Sequence, residues 1–130
     1  MNYVFGVEID LPFDAALEQV QAALAAEKLG IVSDVNVAAI LKAKLGEEAG
    51  AYRILGACAP GLAKRVIQSE PAAGVLLPCN LVVREVSAGR TAVDFMDPIT
   101  VLGLAEDAAT NAVAAEARVI LDRVVARLGG

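Results

Sequence analysis

An α+β fold, with a largely antiparallel sheet of about five strands and helices on one face, is what these 130 residues predict. Three observations lead there. Residues 3 to 10 alternate with one apolar set, so their strand needs cover on one side only. A hairpin signal lies around Gly89, between two apolar runs. The segments follow in the order strand, helix, strand, short helix, strand, helix, hairpin, long helix, with no linker, repeat or low-complexity stretch between them. One domain spanning residues 1–130 is long enough to bury a sizeable core.

In chain order, Tyr3, Phe5, Val7 and Ile9 point one way, and Val4, Gly6, Glu8 and Asp10 the other. Pro12 ends this strand. Asp14 to Lys28 reads as a helix with Leu17, Val20 and Leu24 as its stripe, an acidic start and Gly30 as its stop. Ile31 to Val35 is a short strand. Asp34 or Asn36 caps a helix over Val37 to Leu45, which Gly46 closes. Ala51 to Cys58 is a strand, and Pro60 suits the first turn of a helix running to about Glu70. Val75 to Val86 reads as a strand. Pro78 inside it calls for an edge, a bulge or a break. Thr91 to Met96 is the return strand, and Ile99 to Leu104 is an unassigned apolar connector. Ala105 to Leu128 reads as the longest helix, with Val113, Ala117, Ile120, Leu121, Val124 and Leu128 as its stripe and arginines toward its C-terminal end.

Composition removes whole classes of function. There is no histidine, so the usual general base and the commonest metal ligand are absent, and no Ser-His or Cys-His pair exists within one chain. No catalytic residue is assigned, an enzyme is not the expectation, and no cofactor is implied. A net charge of -5 argues against a nucleic-acid partner, since phosphate binding needs a basic surface. No apolar run approaches the roughly 18 residues of a membrane span, and the start, MNYVFGVEID, lacks the basic region of a signal peptide. The expectation is a cytoplasmic protein with no membrane partner and two free thiols. The sequence contains no phosphate-loop pattern.

The stretch from Tyr52 to Pro98 carries a family resemblance. It holds Tyr52-Arg53-Ile54-Leu55-Gly56-Ala57-Cys58, then Pro60, Glu70-Pro71, Gly74-Val75-Leu76-Leu77-Pro78-Cys79-Asn80, Val82-Val83-Arg84-Glu85 and Asp94-Phe95-Met96-Asp97-Pro98. With Val35-Asn36-Val37 upstream, this resembles the family known as domain of unknown function 302, from about Phe13 onward. One departure is Ala59, where the family typically carries asparagine. The resemblance implies a fold similar to the TATA-box-binding-protein-like arrangement, often as a homodimer, and implies no activity.

Candidate site residues fall into three groups. Cys58 and Cys79 each stand by a proline at a strand end. Cys58 precedes a helix whose amides near Leu62 and Ala63 would favour a thiolate, so of the two it is the one expected to react, with Cys79 the more buried. Core packing is the competing reading of both. Two thiols are too few for a zinc site in one chain, and no metal site is assigned. Arg53 and Arg84 are expected to face away from the helices with Glu8 and Asp94, forming cross-strand ion pairs, a polar ligand site or a dimer surface. Asn80 and Asp97 lie at strand ends beside prolines, where they either line a pocket or serve as turn residues. With 57% hydrophobic residues the chain favours further burial. The expected function is that of a homodimeric small-ligand-binding or protein-assembly module, and the alternative is a thiol-based redox or metal-handling protein using Cys58 and Cys79.

Overall fold

The computed structural model describes residues 2–129. The elements are β1 (Val4–Ile9), α1 (Phe13–Ala26), β2 (Gly30–Asn36), α2 (Val37–Leu45), β3 (Tyr52–Cys58), α3 (Pro60–Ser69), β4 (Cys79–Ser87), β5 (Arg90–Met96), α4 (Pro98–Leu102) and α5 (Ala108–Arg127). Short 3-10 turns over Pro71–Leu76 and Gly103–Ala105 complete the chain. The five strands form one sheet in the order β1-β5-β4-β3-β2, and every neighbouring pair is antiparallel. The expected α+β class is therefore the one observed.

The sheet's alternation determines the core. Phe5, Val7 and Ile9 of β1 share a face with Val93 and Phe95 of β5, Leu81 and Val83 of β4, and Leu55 and Ala57 of β3. Against them pack Ala16, Val20, Ala23 and Leu24 of α1, and Leu121, Val124 and Leu128 of α5. Of the stripe expected on the long helix, Val113, Leu121, Val124 and Leu128 are buried, and Ala117 and Ile120 are half-buried. A smaller cluster joins Val66 of α3, Ala73 and Val113 of α5. The opposite face of the sheet carries no helix of this core.

Four departures from the sequence reading exceed a single residue, each for a local reason. Residues 75–77 are not strand. Pro71 opens a 3-10 turn, and Pro78 has no N–H to donate, so the ladder begins at Cys79. The Leu77–Pro78 peptide is cis. The first helix stops at Ala26 because Lys28, at φ 61, turns the chain left-handed, which leaves Gly30 free to begin β2. The long helix starts three residues late, since Glu106 lies at φ 52 and Asp107 caps α5 by accepting from the Thr110 N–H. The apolar connector contains α4, capped by Asp97.

Candidate functional site

The predicted residues do not converge on one place. Cys58 ends β3, Cys79 begins β4, and both line a cavity of about 40 Å³. Its other walls are apolar: Leu29, Leu62, Val66, Leu102, Val113 and Leu121 are among them. The cavity lies between the end of the sheet and helices α3, α4 and α5, the consequence of Pro60 turning the chain straight from β3 into α3. Among all these lining side chains the two thiols are the only reactive groups.

Burial, and then the charge of Cys58, pushes the Cys79 thiol up to about 11. Near neutral pH Cys79 is therefore a protonated thiol. The amides expected to favour a Cys58 thiolate are committed elsewhere: the Leu62 and Ala63 N–H groups both donate to the Ala59 carbonyl, at 3.0 and 3.1 Å. That expectation is corrected by the first turn of α3, which uses its own amides.

Asn80 is exposed on the opposite sheet face, across from Gly56, and is not among the residues that line the cavity. Gly56 is required there. A Cβ would stand 2.2 Å from Ser33 Oγ and 2.6 Å from Pro78 Cγ, so β2 and the entry to β4 close over β3 at this point.

Arg84 and Asp94 do pair on the open face, Nε to Oδ2 at 2.8 Å, a diagonal contact across β4 and β5. With Gly6 and Glu8 they line a shallow groove of about 290 Å³. Glu8 is in turn held by Arg90, which also engages Asp10. The charges of the groove are thus satisfied by one another, leaving none of Glu8, Arg84 and Asp94 unpaired for a ligand.

Arg53 does not join them. It pairs with Val83, whose side chain is fully buried, and shares a face with Leu55, so it projects on the helix side beyond the core. There its guanidinium grips Asp34 of β2 with two bonds, 3.0 and 2.8 Å, and holds that carboxyl below its usual range. The expectation of an outward-facing Arg53 fails because the core claims the alternate residues of β3.

Asp97 has a structural role on both oxygens. One accepts from the Ile99 N–H at 3.0 Å, and the other from Arg118 at 2.7 Å. Arg118 also bonds Asp122 and lies 3.7 Å over the Phe5 ring, tying α4 and α5 to β1.

What the candidate residues left out is the surface formed by β2 and α2. Every residue of β2 is exposed, and α2 buries none of its nine residues. Ile31, Val32, Val35, Ile40 and Leu45 are five of the twelve exposed large apolar side chains among the described residues. The apolar residues at 32, 35, 40 and 45 were visible in the sequence, but their spacing fits a covered strand and helix equally well.

No curated protein matches this chain. It is similar over its whole length to the crystal structure of an uncharacterised conserved protein DUF302 from Bacillus stearothermophilus. The two are 25% identical, with 98% of this chain and 99% of that one covered and a TM-score of 0.88. The family described as "Domain of unknown function DUF302" matches residues 5–128, nearly the whole of the described chain. On sequence and fold together, the chain belongs to the DUF302 family.

Proposed function

We propose that this protein is a non-enzymatic assembly module that works as a homodimer, with β2 and α2 as the surface joining the two copies. The carrying observation is α2 itself. A nine-residue helix is too short to be stable in water on its own sequence, and most helical stability comes from packing an apolar side. Yet no residue of α2 is buried, and Ile40 and Leu45 are 47% and 64% exposed.

Beside α2, β2 is an edge strand with one row of backbone groups unpaired. An antiparallel strand placed against its own copy satisfies both rows about a two-fold axis. Charge favours the same surface. The chain is acidic overall, but the segment from residue 30 to 45 carries one acid, Asp34, against Lys42 and Lys44, and Arg53 already neutralises Asp34. Lys42 is in turn paired with Glu48, so this surface is nearly neutral and two copies meet there with little repulsion. The other edge strand, β1, carries Glu8 and projects toward Asp10, charges that guard an edge against pairing.

Sedimentation equilibrium over a range of concentrations tests this. The protein should be a dimer, and Val35→Glu or Ile40→Glu should weaken the dimer by at least about tenfold while the circular dichroism stays native. A monomer at high micromolar concentration, or a dimer indifferent to both substitutions, would refute it.

A further inference from the structure

We propose that Cys58 and Cys79 form a redox dithiol site whose co-reactant is a low-molecular-weight disulfide, and that oxidation joins β3 to β4 through an internal Cys58–Cys79 bond. Cys79 pairs with Ala57 in the ladder, so Cys58 stands one residue along from its partner. Ladder geometry, about 5 Å across and 3.4 Å along, separates the two Cα atoms by about 6 Å. That lies inside the range of roughly 4.4–6.8 Å that disulfides span. In a regular strand such neighbours would point to opposite faces. Cys58 is the last residue of β3, where the chain leaves the sheet for α3, and both residues border the same cavity.

The cavity walls supplied by α3, α4 and α5 bring no charged or titratable side chain to the pair. Neither a base nor a third ligand is present among them, so the chemistry of this site is that of sulfur alone. The steps balance. The Cys58 thiolate attacks one sulfur of the small disulfide and expels its first thiolate, leaving a mixed disulfide on Cys58. The Cys79 thiolate then attacks Cys58 Sγ and expels the second. The protein loses two electrons and two protons, and the small disulfide becomes two thiols.

The two steps differ in pH dependence. Burial, the larger of the two causes that raise the Cys79 thiol, persists in the mixed disulfide, where Cys58 no longer carries charge, so Cys79 still supplies little thiolate at neutral pH. The mixed disulfide therefore accumulates near pH 7, and its closure accelerates by up to about tenfold per pH unit while Cys79 remains mostly protonated.

Native protein is incubated with glutathione disulfide from pH 7 to 10, quenched in acid and read by intact mass and peptide mapping. The expected result is one glutathione on Cys58 at pH 7. As pH rises, this adduct gives way to an internal disulfide recognised by the loss of two hydrogens. Cys79→Ser should keep the adduct at every pH. An adduct on Cys79, two adducts per chain, a disulfide between chains, or no reaction short of unfolding would each overturn the proposal. If Cys79→Ser does not fold, the wild-type time course decides alone. Neither outcome depends on whether β2 and α2 join two copies.

Discussion

Leu121→Ala probes the packing that holds α5 to the sheet. Leu121 is 3% exposed and touches both the main core and the cavity beside the cysteines. The substitution removes three carbons, worth about 2.4 kcal/mol at roughly 0.8 kcal/mol per buried methylene. The space vacated adds a cavity penalty of at most about 2 kcal/mol, at roughly 24 cal/mol per Å³. Because the side chain already borders a gap of about 40 Å³, its neighbours have little reason to collapse inward, and the new void merges with the old one. A loss of about 3–4 kcal/mol follows. The assay is urea unfolding followed by circular dichroism at one fixed protein concentration, since a dimer's stability depends on concentration. Val119→Ala on the same helix is the control. Val119 is 54% exposed, and its loss should cost less than about 0.5 kcal/mol. If Leu121→Ala costs no more than Val119→Ala, the assignment of α5's buried side is wrong.

Two further perturbations address other parts of the fold. Glu27 follows α1 and receives Arg123 and Arg127 of α5, both at 2.7 Å, which holds its carboxyl below the ordinary 4.5. A lowered carboxyl contributes stability that is complete above the ordinary value and is lost as pH falls through the folded one, so wild type should weaken below about pH 4.5 and Glu27→Gln should show a flatter acid limb in urea titrations from pH 7 to 3. An equally steep limb in the variant would place the acid sensitivity elsewhere. Gly6→Ala should loosen β1, because its Cβ would fall 2.0 Å from the Val93 carbonyl oxygen, a backbone atom that cannot swing aside. We expect a loss of about 3 kcal/mol, whereas Gly61→Ala, with nothing within 4 Å, should be neutral or stabilising; similar effects at both sites would contradict the close approach of β1 and β5.

Much of the fold was legible because it rests on periodicity. The alternation of β1, the apolar stripe of α5 and the turn at Gly89 each state one structural fact in a few residues. What was hidden depended on contacts between distant segments. Nothing near Arg53 reveals that Leu55 and Ala57 claim the core face of β3, or that Asp34 waits on the neighbouring strand. Asp97 could be read as a pocket residue or as a turn residue, because a helix cap beside a proline and a ligand-binding carboxylate have the same local sequence. Their place at strand ends suggested that Cys58 and Cys79 could approach each other at one end of the sheet, but not that they share a cavity. Its walls were hidden because Leu102, Val113 and Leu121 come from helices far along the chain. The exposure of β2 and α2 is a statement about what fails to cover them, and apolar residues carry the same spacing whether the cover comes from their own chain or from another.

The strand order carries a consequence for how the chain assembles. β4 and β5 meet through a tight hairpin, and β2 and β3 through a connection from Asn36 to Arg53 that contains α2. β1 has a single partner, β5, and must wait for it: Ile9 meets Thr91, 82 positions later, and Val4 meets Met96. Closing that span costs about 1.4 kcal/mol more in chain entropy than closing the β2–β3 connection. Its fastenings, Arg90 on Glu8 and Asp10 and the Thr91 hydroxyl on the Leu11 carbonyl, cannot form until the span has closed. Pulse-labelled hydrogen exchange during refolding should find the amides of Val4–Ile9 the last of the sheet to gain protection. On a ribosome the effect is stronger, because β1 has no neighbour until β5, whose Thr91 lies 82 positions after Ile9, has been synthesised, so the strand of this sheet made first is the last to be placed.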